Sequence, residues 1–290
     1  MIFLIHLFLK TGSFFLTILN IIVMPFRRIP IVDGRWGYTG SDQGYVDIVE
    51  YPYPGLCGFE TSFVDSDHHL RRWAVGAETD ARGYLFELSD SDNLFGAHDR
   101  VHFKSRYFNI TPSLMASPTV QTASGRGSNF AGNRTIITRP HRDDLFVLRG
   151  FRFEGIPDRN HHISRVEVRY DYPSSTLRVN FHDSSPEDDT YMYFVYYMFV
   201  RPGGEIPLNY SFDGPNTLSF TFTNSAIRTV PGKGRALLSG FNFAFSDGDH
   251  HIQKIAIDLY PWDQIRTTFT DLERTHPVEA TIDYVSVIFA

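Results

Sequence analysis

One segment of this chain occurs three times at nearly constant spacing, and that constrains the fold more than any bulk property. Residues 58–70 read GFETSFVDSDHHL, residues 150–163 read GFRFEGIPDRNHHI with one extra residue, and residues 240–252 read GFNFAFSDGDHHI. Aligned on the histidines, each copy gives Asp, any residue, Asp or Asn, His, His and an aliphatic residue. A basic residue follows two positions later (Arg72, Arg165, Lys254), then an apolar one (Trp73, Val166, Ile255). The shared Asp65, Asp158 and Asp247 lie 93 and 89 positions apart, and a period of this kind marks copies of one structural unit.

Local patterning says what the unit is made of. Phe241, Phe243 and Phe245 alternate with Asn242, Ala244 and Ser246, the period of two that buries one face of a strand. The Asp-Gly-Asp turn ends that strand, and Ile255, Ile257 and Leu259 define the next. The second copy repeats this with Phe151 and Phe153, then Val166, Val168 and Tyr170; the first keeps Phe59 and Phe63, then Trp73 and Val75. A third strand ending in apolar-x-Asp follows each time (Leu88-Ser-Asp90, Phe181-His-Asp183, Phe269-Thr-Asp271), then a polar loop and a closing strand near 100–110, 191–200 and 281–289. No long stretch has helical periodicity.

Composition agrees. Aromatic residues make up 15% of the chain, with 26 Phe and 15 Tyr, types that favour strands. The expected fold is therefore all-β: three tandem antiparallel β-sandwich units, jelly-roll-like and of about 90 residues each, spanning 26–110, 111–200 and 201–290. No flexible linker separates them, so they are expected to pack together. The strand at 191–200, YMYFVYYMFV, is aromatic on both faces and so reads as a central or interface strand. The single cysteine, Cys57, cannot form an internal disulfide, which leaves the fold to its cores.

Residues 1–25 differ from everything after them: they are apolar apart from His6 and the interruption at 10–13. Three readings stand open. The segment is a signal or membrane anchor, which makes the protein extracellular or surface-associated; it precedes a true start at Met24, which makes it cytoplasmic; or it is a buried element. Any membrane contact is expected through these residues alone. Net charge near −6 and pI near 6.0 give no general basic surface for phosphate backbones, so nucleic acid is not an expected partner.

Easy enzymatic signatures are missing. There is no Gly-rich phosphate loop, Cys-x-x-Cys pair, His-Glu-x-x-His or Gly-x-Ser-x-Gly motif. The same small acid–imidazole set recurs three times with no additional nucleophile in one copy, so the chain is read as no enzyme. The candidate site is that set: Asp65, Asp67, His68 and His69; Asp158, Asn160, His161 and His162; Asp247, Asp249, His250 and His251. In one reading it is a structural turn, since Asp accepts backbone N–H bonds and Gly248 suits a positive φ. In the other it binds a ligand. Carboxylates and imidazoles hydrogen-bond sugar hydroxyls while Trp73, Tyr170 or Trp262 stacks on a ring face, or two carboxylates and one imidazole hold a divalent cation such as calcium. No obligatory cofactor is expected.

Units of this length, with Gly-Phe and His-containing loops, resemble small sugar-binding sandwich families such as the H-type lectins. That resemblance implies carbohydrate recognition and carries over no residue. Two functions follow from the sequence as expectations: multivalent recognition of surface carbohydrate, or a structural subunit of a virion, appendage or filament whose turns and aromatic strands form packing interfaces. Either way the expected partner is carbohydrate or the protein itself, as a homo-oligomer.

Overall fold

A computed structural model describes residues 34–41, 43–47, 53–63, 70–77, 83–90, 100–110, 119–128, 133–154, 163–183, 190–202, 210–230, 234–245, 252–259, 263–271 and 277–289. Among these the regular structure is all strand, as the alternating patterns require. The first third of the chain supplies β1 (Gly34–Ser41), β2 (Gln43–Asp47), β3 (Pro54–Phe63), β4 (Leu70–Ala77), β5 (Gly83–Asp90) and β6 (Arg100–Asn109). The second supplies β7 (Thr119–Ser128), β8 (Asn133–Ile136), β9 (Leu145–Glu154), β10 (Ile163–Asp171), β11 (Thr176–Asp183) and β12 (Thr190–Val200). The last supplies β13 (Tyr210–Thr223), β14 (Ser225–Thr229), β15 (Gly234–Phe245), β16 (Ile252–Asp258), β17 (Gln264–Asp271) and β18 (Pro277–Phe289).

These strands form three six-stranded sheets, ordered β1-β6-β3-β16-β17-β14, β13-β18-β15-β10-β11-β8 and β2-β5-β4-β9-β12-β7. Each sheet joins three strands from one third of the chain to three from another. Conversely, the strands of each third divide three and three between two sheets, and the repeated segment is one of the crossings from sheet to sheet, between β3 and β4, β9 and β10, or β15 and β16. The thirds are therefore bound by main-chain ladders along three seams, β3·β16, β9·β4 and β15·β10, which close into a ring.

All three seams share one register. Phe59 pairs with Ile257, Phe151 with Val75 and Phe241 with Val168. Because the residue after each seam glycine points inward, Phe59, Phe151 and Phe241 converge, with ring centroids 5.3 to 5.5 Å apart in all three combinations. Tilted and edge-on contacts of this kind are the favourable ones for aromatic rings. All three side chains are buried in the main core cluster. Four residues before each phenylalanine the strands converge again: a Cβ placed on Gly55 would lie 3.0 Å from Val147 and 3.1 Å from Leu237. Two successive meeting points in the same order mean that β3, β9 and β15 run in the same direction side by side.

The glycine of each Gly-Phe pair is needed for the seam itself. A Cβ on Gly58, Gly150 or Gly240 would approach the carbonyl oxygen of Ile257, Val75 or Val168 to 2.5, 2.5 or 2.8 Å, distances a real side chain cannot occupy. Just before each glycine the ladder to the closing strand skips one residue, at Cys57, Arg149 and Ser239. Such bulges sharpen the twist, and the skipped side chain is buried in all three. A second bulge recurs one residue after Leu70, Ile163 and Ile252.

The middle third shows how the two halves of one third meet. Tyr191 of β12 accepts a hydrogen bond from the Phe181 N–H of β11 at 2.9 Å, and burial pushes its pKa up to about 12. Tyr193 donates to Asn133 Oδ1 on β8 at 2.8 Å. The aromatic strand β12 lies inside its sheet, between β7 and β9, as a strand with two apolar faces must. Tyr193 and Val195 enter the main core, Met198 and Val200 the second cluster.

Candidate functional site

The candidate residues lie in the connections after β3, β9 and β15. Asp65, Asp67, His68 and His69, then Asp158, Asn160, His161 and His162, then Asp247, Asp249, His250 and His251 all fall outside the described residues. What is described is the platform from which those segments leave. Since β3, β9 and β15 run in one direction around the phenylalanine trio, their C-terminal ends emerge at one pole of the core.

At that pole the recurring basic residue of each partner strand, Lys254, Arg165 or Arg72, stands opposite the neighbouring third in the seam ladder. Lys254 on β16 opposes Ser62 and forms an ion pair with Glu60 Oε2 at 3.1 Å, while Lys104 donates to the other Glu60 oxygen at 2.9 Å. Burial by itself would raise the Glu60 carboxyl, but the two ammonium groups outweigh it and hold the pKa below its ordinary 4.5. Arg165 on β10 opposes Ala244, donates to Asn242 Oδ1 at 2.7 Å and lies 3.4 Å from Glu167. Arg72 on β4 opposes Glu154 in the ladder, and Glu154 is held by Arg152 at 2.8 Å. The recurring basic residue of the sequence thus stands at the seam in every copy, and in two of them its cation reaches polar groups of the next third.

Two of the proposed ring-stacking residues are elsewhere. Trp73 is 2% exposed, packed edge-on against Phe59 and Phe151, and its indole N–H donates to Thr61 Oγ1 at 3.1 Å. The reason is volume: the first copy has Thr61 where the others have Phe153 and Phe243, and the larger indole fills the space. Tyr170 is likewise buried, donating to the Ile137 carbonyl at 2.9 Å. Neither presents a face to a sugar. Trp262 lies outside the described residues. Of the remaining histidines, His182 hydrogen-bonds Ser164, and His141 sits 3.5 Å from Asp143 on the surface.

A further set of polar residues was not singled out by sequence. In each sheet the seam glycine is flanked, on the outward face, by one residue from the closing strand and one from the neighbouring third. Around Gly58 these are Arg106 and Asp258, 2.7 Å apart. Around Gly240 they are Asp283 and Arg169, joined by two contacts of 2.6 and 3.0 Å, with Thr217 donating to the same carboxylate at 2.7 Å. The Asp283 carboxylate raises the Arg169 pKa still further. Around Gly150 they are Tyr196, 8% exposed, and Gly76, whose φ of 106° only glycine adopts readily. The three rows differ in residue type, so no repeat signal marks them.

Among the described residues no three His, Cys, Asp or Glu side chains gather as a metal-holding set, and no helix is long and apolar enough to cross a membrane. No protein-family model matches this sequence, and none of the curated proteins compared with it is significantly similar.

Proposed function

We propose that this protein is a non-enzymatic, multivalent binding protein that recognises surface carbohydrate through its Asp-x-Asp/Asn-His-His segments. In this reading the chain is three sandwich units of about 90 residues, each lending one half to each of two shared sheets. The observation that carries it is the parallel course of β3, β9 and β15: the three strands that lead into these segments end at one pole of the core. Carboxylates and imidazoles suit the hydroxyl pairs of a sugar. Weak individual sites on a rigid mount gain apparent affinity without new contacts, by on the order of a hundredfold or more when several engage at once.

The test is a glycan array probed with the protein and with variants carrying His69→Ala, His162→Ala and His251→Ala singly and together, with and without chelator. Stepwise loss of signal, complete in the triple variant with its circular dichroism unchanged, supports the proposal; sensitivity to chelator assigns the carboxylates to a cation. An array signal that survives all three changes overturns it. No signal at all, from protein eluting as a large ordered oligomer, transfers these segments to self-assembly.

A further inference from the structure

The three seams share one register, which poses a problem for the chain. Any glycine-bearing strand (β3, β9, β15) has the right shape to pair with any partner strand (β4, β10, β16). The shared register does not by itself select β16 for β3, β4 for β9 and β10 for β15. The wrong choice would close the ring in the opposite order or pair a third with its counterpart in a second copy of the chain.

We propose that the two residues flanking each seam glycine form a pairing code that selects the native order of the thirds. The glycine-side residues are Arg106, Tyr196 and Asp283; the partner-side residues are Asp258, Gly76 and Arg169. Native pairing joins Arg106 to Asp258, Asp283 to Arg169 and Tyr196 to Gly76, giving two ion pairs of opposite polarity and one row of a large side chain beside two glycines. Every other combination loses. Arg106 against Arg169 and Asp283 against Asp258 set like charges side by side. Arg106 or Asp283 against Gly76 leaves a charge without its counter-ion. Tyr196 against Arg169 or Asp258 replaces hydrogen by a bulky charged chain in a row that already holds the tyrosine. No non-native pairing makes an ion pair. The polarity reversal is what does this, because with the same polarity in both charged seams their partners would be interchangeable.

The reversal also supplies the test. In the full chain, Arg106→Asp combined with Asp258→Arg keeps an ion pair in the native seam but erases the reversal. The carboxylate placed on β6 now suits Arg169, and Asp283 suits the guanidinium placed on β16. The expected result on refolding from urea is that this variant partitions between native monomer and mispaired or multimeric species on size exclusion. Its non-native fraction should rise by about tenfold or more, the factor that about 1.4 kcal/mol of lost discrimination produces. A control swap inside one third, Arg142→Asp with Asp143→Arg, exchanges a 3.6 Å surface pair away from the seam rows and should refold as the wild type does. If the seam swap refolds as cleanly as the wild type, or the control partitions equally, the code is wrong. Should the seam swap give no folded protein, the neutral pair Arg106→Gln with Asp258→Asn decides. It removes both repulsions without adding charge, so it must also raise the non-native fraction, and clean refolding overturns the proposal.

Discussion

The axis of the molecule and the outward rows of its seams follow opposite rules. On the axis the three thirds contribute the same residue, Phe59, Phe151 and Phe241, at separations that agree within 0.2 Å. One residue earlier and facing outward, each seam is flanked differently: Arg with Asp, Asp with Arg, Tyr with Gly. Packing around a pseudo-threefold axis rewards sameness, because each ring must fill the gap the other two leave. Choosing partners rewards difference, because identical edges carry no information. The two requirements are met one residue apart, the first by the phenylalanine of each glycine-bearing strand and the second by the residues that flank the preceding glycine from the strands on either side.

The sharpest way to break the comparison is to remove a ring from the trio. Phe151→Ala should cost about 3–5 kcal/mol of stability by chemical denaturation, and Phe59→Ala and Phe241→Ala about the same. A loss under about 1 kcal/mol at any one of them would show that the trio is not a shared core. The outward rows should be weaker and unequal. Asp283 is 6% exposed and Asp258 is 35% exposed. Arg169→Met therefore strands a carboxylate away from water and should cost about 2–3 kcal/mol, whereas Arg106→Met should cost about 1 kcal/mol and fade in high salt. Equal costs would mean that burial does not separate the two rows.

The smallest effect is the Glu60 clamp. Its pKa is lower folded than unfolded, so its contribution is fully present above the ordinary value of 4.5 and disappears as the pH falls through the depressed folded value. Glu60→Gln should cost under about 1 kcal/mol at neutral pH and flatten the acid limb of the stability curve. An unchanged acid limb would place the pH dependence elsewhere.

Much of the local structure was legible. The alternation at Phe241, Phe243 and Phe245 does bury one face, and the apolar-x-Asp endings mark the last residues of β5, β11 and β17, Asp90, Asp183 and Asp271. What the sequence could not show is who pairs with whom. The reason Gly58 must be glycine is the carbonyl of Ile257, two thirds of the chain away, and no local pattern carries that. Trp73 reads two ways for a related reason, as the apolar residue that matches Val166 and Ile255 and as a ring-stacking surface; its contact with the small Thr61, which goes with burial, is not a local pattern. The repeated acidic and imidazole residues were the strongest motif in the sequence, and the structure contributes the strands that carry them.

The seam between β3 and β16 joins residues that are synthesised far apart. At about 5–20 residues per second, β3 leaves the ribosome roughly 10–40 seconds before its partner. Until then the edge meant for β16 lacks its native partner, and an unpaired edge is a template for association with other strands. The strands of the β4·β9 seam are both synthesised long before, at a point when the edges meant for β16 on β3 and for β15 on β10 are both still without their partners. Helper factors that act during translation, or a slow synthesis rate, would matter most in that interval, and its length is set by the order in which the ring was written into the chain.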